Sequence, residues 1–237
     1  FNHQLWFAAC ASLLKSKRQK EIKQRIFRFL DFVPNNLSFI DNELIYHLIT
    51  NQFSSNNLDS FLKSKLKKLT KSLFYVLGVR KWDTNNASIE YKKRMIYKSI
   101  GYHHFNMYAF AMLKEQFPDH PLWDSPKFIK SVDYLISDKF KNEISDNIYG
   151  FPYNPPGFEV PYALSVFTDL SGHDLVTSSF WWVNEQFKRC YNVETQMMDR
   201  NTEDPLTHTA RIYEVTRLPV SILKRIEVDI QSVGDFS

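Results

Sequence analysis

The chain has 237 residues, of which 43% are hydrophobic and 24% are charged, and this composition excludes intrinsic disorder and fits a globular protein with an extensive core. Six glycines are few for an all-β or Rossmann-type chain of this length, so we predict an all-α fold. The net charge of +4 conceals a basic half, 1–100, with 18 Lys and Arg against 7 Asp and Glu, and an acidic half, 101–237, with 12 against 19.

Apolar residues in the first half recur every three or four positions, which is the spacing of amphipathic helices. The clearest stripe covers residues 58–77, where five lysines lie mostly off the apolar face and Gly78 is a fitting stop. Asp41 is expected to cap a short helix that continues to about Phe53. The other helices predicted in this half cover residues 4–16, 20–33 (ended by Pro34) and 89–98.

From residue 101 onward, apolar helices alternate with amphipathic ones, which is the pattern of an inner and an outer helix layer. Gly101 is expected to interrupt the chain before the first apolar helix, and a loop rich in glycine and proline precedes the second. The apolar helices are predicted near 105–116, 158–167 and 204–217, and the amphipathic ones near 126–140 and 175–190.

Several classes of protein are disfavoured by missing motifs. The chain has no phosphate-binding glycine loop, no GxSxG, no HExxH and no dinucleotide fingerprint, and we expect no cofactor. Cys10 and Cys190 lie far apart, outside any metal-ligand spacing, so we expect reduced thiols and no metal.

No window of the sequence contains the roughly 18 consecutive apolar residues that a membrane span needs. We therefore expect a cytoplasmic, single helical domain over 1–237 that is a fragment of a longer chain, since it begins with Phe1 inside a helical pattern.

Three segments place polar and aromatic residues just before an apolar helix: YKSIGYHHFNMY at 97–108, PPGFE at 155–159 and DPLT at 204–207. With their surroundings at 95–217, they resemble the junctions between loop and inner helix in the (α/α) toroid, or six-hairpin, carbohydrate-active enzymes. The resemblance implies a toroid-like layered fold, incomplete in this chain, and activity as a glycoside hydrolase, polysaccharide lyase or sugar epimerase. It also implies a saccharide or polysaccharide substrate.

Two carboxylates are candidate catalytic groups. Glu159 is expected in a first helical turn, where the helix dipole favours the anion and suits a base or nucleophile. An acid at this position would need burial against aromatic side chains. The alternative is a carboxylate that only caps its helix. Asp204, followed by Pro205, has the pattern of an N-cap before proline at the first helical position, so capping is its commoner role.

Two adjacent histidines, His103 and His104, are candidate acid or base groups. Placed on a turn, they point in different directions, so at most one is expected to face a given site. Tyr102 and Asn106 beside them could orient a sugar hydroxyl. The alternative is a helix-capping turn with surface histidines.

Further residues are candidates for binding a substrate. The loop from 149 to 157 is expected to display Tyr149 and Tyr153, and Trp82 could stack on a sugar ring. Arg211 either pairs with Glu214, three residues on, or binds a substrate carboxylate or sulfate in a bidentate fork.

Two functional hypotheses follow. The first is a carbohydrate-active enzyme with an aromatic-lined pocket, in which Glu159 and Asp204 are the carboxylates and His103 or His104 is an alternative acid or base. Hydrolysis, elimination and epimerisation all stay open. The second is a non-catalytic helical protein that binds an anionic partner, nucleic acid included, through its basic half, with the lysine-rich helix 58–77 as the main support.

Overall fold

The structure is a computed structural model that describes residues 1–41, 43–46, 84–171 and 174–228. Over these residues it is mostly helical, as the all-α prediction requires. The helices are α1 (Asn2–Ser12), α2 (Gln19–Asn36), α3 (Thr84–Gln116), α4 (Pro126–Ile136), α5 (Asp138–Ser145), α6 (Pro156–Ser171), α7 (Leu175–Cys190), α8 (Pro205–Ala210), a 3₁₀ helix (Arg211–Arg217) and α9 (Val220–Leu223). The lysine-rich segment 58–77 and Trp82 lie outside the described residues.

The long helix α3 corrects the prediction of a break at Gly101. A Cβ at Gly101 would lie 2.4 Å from the Cβ of Tyr149 and 2.6 Å from the Oδ1 of Asn147. The glycine therefore permits close packing of a loop against a continuous helix, and it does not mark a turn. As a result, Tyr102 and the two histidines after it lie on the helix and not on a capping turn.

Two further boundaries differ from the prediction for local reasons. The segment 126–140 forms two helices because Ser137 adopts an extended conformation and its hydroxyl accepts a hydrogen bond from the Phe140 N–H at 3.1 Å, which caps α5. Asp41 does not begin a helix. With a φ of 53°, it lies in the turn between β1 (Phe39–Ile40) and β2 (Leu44–Ile45), an antiparallel pair.

Other predicted elements match closely. The predicted helix 175–190 is α7, and α6 contains the predicted 158–167. The segment 204–217 changes from α-helix to 3₁₀ helix at Arg211. Pro34 lies inside the last turn of α2, which ends three residues later than predicted.

The helix α6 lies at the centre of the described fold and packs against α3, α4, α7 and the 3₁₀ helix. Phe158, Val160 and Ala163 on this helix have no exposed surface, and the stretch of α3 from Met107 to Leu113 is buried as well. These two helices are buried as predicted for inner helices, and α2 and α7 keep solvated faces. The third segment predicted as inner, 204–217, differs, because most of its residues are exposed or half-buried. No described helix is long and apolar enough to cross a membrane.

Candidate functional site

A polar cleft of about 1040 Å³ lies where the start of α1, the middle of α3, the loop before α6 and the segment 201–211 meet. Its lining brings together five residues predicted from the sequence, Tyr102, Tyr149, Tyr153, Asp204 and Arg211. Among the lining residues that were not predicted is His208. The predicted Glu159, His103, His104 and Asn106 do not line it.

Two asparagines fasten the loop before α6 to α3. The Asn147 Nδ2 donates to the backbone oxygen of Tyr97 at 2.8 Å, and its Oδ1 accepts from the Tyr149 N–H at 2.9 Å. The Asn154 Nδ2 donates to the backbone oxygen of Tyr149 at 3.0 Å and to that of Gly101 at 3.3 Å. The missing Cβ of Gly101 is what allows this approach.

The fastened loop forms one wall of the cleft from three tyrosine rings. The Tyr102 ring lies 5.6 Å from that of Tyr149 and 6.2 Å from that of Tyr153, between centroids. Burial, and then a hydrogen bond with Tyr153, raise the pKa of Tyr102, so its hydroxyl keeps its proton. The Tyr153 side chain is largely exposed at the rim.

Arg211 lies at the floor of the cleft with its guanidinium held by two carboxylates. Its Nε donates to Glu214 Oε1 at 2.9 Å and its Nη2 to Glu214 Oε2 at 3.1 Å, so the predicted pair is present. The Nη2 also bonds to Glu159 Oε1, and the Nη1 donates to Asn154 Oδ1 at 3.4 Å. Burial raises the pKa of Glu214, although Arg211 opposes this effect.

Glu159 is fully buried behind Arg211, in the first turn of α6 as predicted. Its second oxygen bonds to His104 Nδ1. Burial, followed by the charge of Arg211, lowers the pKa of His104 well below its usual value, so the neutral ring donates its Nδ1–H to the carboxylate. Glu159 thus joins α3, α6 and the 3₁₀ helix.

The two adjacent histidines point in different directions, as predicted. His103 Nδ1 accepts from the Ile45 N–H at 3.4 Å, and its Nε2–H donates to the Ser131 backbone oxygen at 3.0 Å. Burial lowers the pKa of His103 to about 4, so the ring is neutral and ties β2 to α4. Asn106 is buried, and its amide has no hydrogen-bond partner among the described residues.

Asp204 caps α8 and also lines the cleft. Its Oδ1 accepts from the Thr207 N–H at 3.1 Å, which confirms the predicted cap. Hydrogen bonds with the Thr207 side chain and backbone lower the pKa of Asp204, so this exposed carboxylate is anionic at neutral pH. Capping and lining are therefore compatible at this position.

Sequence reasoning missed His208, which is 2% exposed and lines the cleft. Gln186 fixes its tautomer: the Gln186 Oε1 accepts from the Gly157 N–H at 3.2 Å, so its NH₂ faces His208 Nε2 at 3.1 Å. Burial lowers the pKa of His208 to about 4, so the neutral ring accepts at Nε2 and carries its proton on Nδ1. That Nδ1 has no partner among the described residues. The available signal was spacing, because His208 lies one helical turn after Asp204.

A second groove, of about 730 Å³, lies between α1 and α2 and is lined mainly by apolar side chains such as Phe7, Phe29 and Phe32. Its charged residues, Arg18 and Glu21 among them, pair with each other. The polar cleft is the better candidate site because a buried polar network supports it. In the described part of the chain, no group of three His, Cys, Asp or Glu could hold a metal ion.

Comparison with curated proteins finds the archaeal glycosylation protein Q of Haloferax volcanii, 35% identical over 224 residues. The match covers 92% of this chain and 56% of that protein, so the chain spans about half the length of the curated relative it matches. No family model and no solved structure matches.

Proposed function

We propose that this chain carries the saccharide site of a carbohydrate-active enzyme in a glycosylation pathway, on an (α/α) toroid-type fold. The main observation in support of this proposal is the cleft, whose lining combines three tyrosines with Asp204, His208 and Arg211. The C–H face of a sugar packs on aromatic rings while its hydroxyls require donors and acceptors at fixed positions. The name of the similar protein, which places it in glycosylation, supports the same assignment.

Asp204 is the base in this proposal. It is anionic, it is exposed to the cleft, and the helix start it caps favours its negative charge. Tyr102, which keeps its hydroxyl proton, and the neutral His208 belong to the same lining, together with Arg211. This set can accept a proton from a sugar hydroxyl or a water molecule while it donates hydrogen bonds to the neighbouring oxygens.

Glu159 acts through Arg211 in this proposal, as a positioning residue. Both of its oxygens are occupied, one by Arg211 and the other by His104, and it does not line the cleft. A glycoside hydrolase needs two carboxylates that flank the bond. We therefore assign to Asp204 the role of proton acceptor, which takes a proton from water in a hydrolysis or from a sugar C–H in an epimerisation, and to Glu159 the orientation of the cleft floor.

The test is turnover and binding with a panel of oligosaccharides. Asp204→Asn keeps a capping side chain and removes the base, so turnover should fall by about 100-fold or more while oligosaccharide affinity changes little. Thr207→Ala is the matched control, because it removes a neighbour of the same cap without removing the carboxylate. Unchanged turnover in Asp204→Asn would leave Asp204 as a helix cap alone.

The alternative is a non-catalytic protein whose basic half binds an anionic polymer. Its main support, the segment 58–77, lies outside the described residues. Salt distinguishes the two functions: affinity for a single-stranded oligonucleotide would fall steeply between about 50 and 200 mM salt, whereas binding of a saccharide should barely change.

A further inference from the structure

We infer that the cleft accepts an uncharged saccharide, one without carboxylate, sulfate or phosphate, because its guanidinium is already used by the protein. This inference rests on the proposed function, since it names the substrate class of the same cleft. It decides between the two roles that the sequence left open for Arg211.

The hydrogen-bond donors of Arg211 are nearly all accounted for. A guanidinium has five N–H groups in a fixed fork. Glu214 takes two of them, Glu159 takes another from Nη2, and Asn154 takes one from Nη1. One Nη1–H is left over. A bidentate clamp on a substrate carboxylate needs two parallel N–H groups, which Arg211 does not have to spare.

The charges around the cleft also oppose an anion. Two carboxylates, Glu203 and Asp204, lie in the lining. Among the described residues, Arg211 is the only lysine or arginine there. Behind it, Glu159 has no exposed surface and Glu214 is 3% exposed, so little water screens them. A further cation, Lys98, lies over the rings of Tyr102 and Tyr149 and is not part of the lining.

The groups that remain available are suited to single hydrogen bonds. These are the spare Nη1–H of Arg211, the hydroxyl of Tyr153 at the rim and the carboxylate of Asp204. A sugar hydroxyl both donates and accepts, so it can bridge a donor and the carboxylate. A second carboxylate in the same place would face Asp204 without a free bidentate partner.

The experiment compares matched ligands by isothermal titration and by NMR shifts of cleft residues. The probes are neutral gluco-, manno- and galacto-configured disaccharides, each with a counterpart whose terminal C6 is oxidised to a carboxylate. The wild-type chain should bind at least one neutral probe, and its oxidised counterpart about tenfold more weakly or worse. An oxidised probe that binds as tightly as its neutral counterpart overturns the inference and leaves the proposed function standing. Absence of binding by every probe overturns both.

Two variants test whether Arg211 is the cause. Glu214→Gln releases the bidentate partner of Arg211 and should raise affinity for the oxidised probe about tenfold, with the neutral probe little changed. Glu203→Gln removes the same charge from the lining without touching Arg211, so its gain should be clearly smaller. Equal gains would show that only the overall charge matters and would overturn the role given to Arg211. If Glu214→Gln does not fold, the wild-type comparison of the two ligands still decides the inference.

Discussion

At the scale of single residues, the site depends on which ring nitrogen of each buried histidine carries the proton. In His208 the partner amide of Gln186 sets this choice, and in His103 the backbone of Ile45 does. Neither partner is near its histidine in sequence. The types and spacing of residues could identify a polar cluster, but the tautomers follow only from contacts made across the fold.

His208 gives a prediction with a built-in control. The amide nitrogen of Asn can replace a donor at Nδ1, whereas the oxygen of Gln can replace the acceptor at Nε2 and leaves no donor at Nδ1. We expect His208→Gln to keep the free energy of unfolding close to that of the wild type, and His208→Asn to lower it by about 1–2 kcal/mol, because Asn leaves the buried amide of Gln186 without its acceptor. Urea unfolding measures both. If Asn is as stable as Gln, the acceptor at Nε2 has no part in stability.

His103 predicts a loss of stability in acid. Its pKa is lowered to about 4 in the folded chain, below the usual value of about 6.5, so the unfolded state binds more protons between these two values. Stability should therefore fall as the pH drops from 6.5 towards 4, by roughly 3 kcal/mol from this residue. Urea unfolding at a series of pH values measures the slope. His103→Gln, which does not titrate, should flatten it, and an unchanged slope would assign the acid sensitivity to other groups.

At the scale of helices, the periodicity of apolar residues predicted the helix limits where one face is exposed to solvent. It failed where contacts with distant residues determine the backbone conformation. The amphipathic α7 was predicted at its observed limits. Gly101 was interpreted as a break because its contact with Tyr149, 48 positions later in the sequence, is not visible in the chain. The division at Ser137 was missed although Ser137-Asp138 is a recognisable helix start. Local signals therefore need to be weighed even inside a continuous amphipathic pattern.

Gly101→Ala tests the packing explanation at this scale. In a solvated helix this change would stabilise, since alanine has the higher helix propensity by about 1 kcal/mol. Here the added Cβ would meet the backbone-anchored Tyr149 and Asn147, so we expect a loss of about 1–3 kcal/mol and weaker sugar binding. Urea unfolding measures the loss of stability, and calorimetric titration measures the sugar affinity. Lys93→Ala, on an exposed face of the same helix, should change neither, and a stabilised Gly101→Ala would contradict the close approach of the loop.

At the scale of the whole molecule, the polar network connects parts that the sequence shows only as separate segments. The segments 97–108, 155–159 and 204–207 and the nearby Arg211 were each singled out for their residues, and they do meet around one region. The sequence could not show how deep each carboxylate lies: Asp204 faces the cleft, whereas Glu159 is buried behind Arg211. This difference in depth depends on the contact between Glu159 and Arg211, which are 52 residues apart in sequence. Composition and spacing identify candidate residues for a site. Only the packed structure distinguishes the residues that face the cleft from the buried residues that support Arg211.

The bond between Glu159 and Arg211 should therefore stabilise the whole fold. An exposed carboxylate in a first helical turn could become Gln at little cost, but this one is fully buried and joins three elements. We expect Glu159→Gln to lower the free energy of unfolding by about 3 kcal/mol, because breaking a buried pair leaves a charge unpaired. A double-mutant cycle with Arg211→Met should give a coupling of more than about 1 kcal/mol. The surface pair Arg18 and Glu21, at 2.9 Å and with both side chains exposed, is the matched control and should show coupling close to zero. Equal coupling in the two pairs would mean that Glu159 does not hold the floor of the cleft.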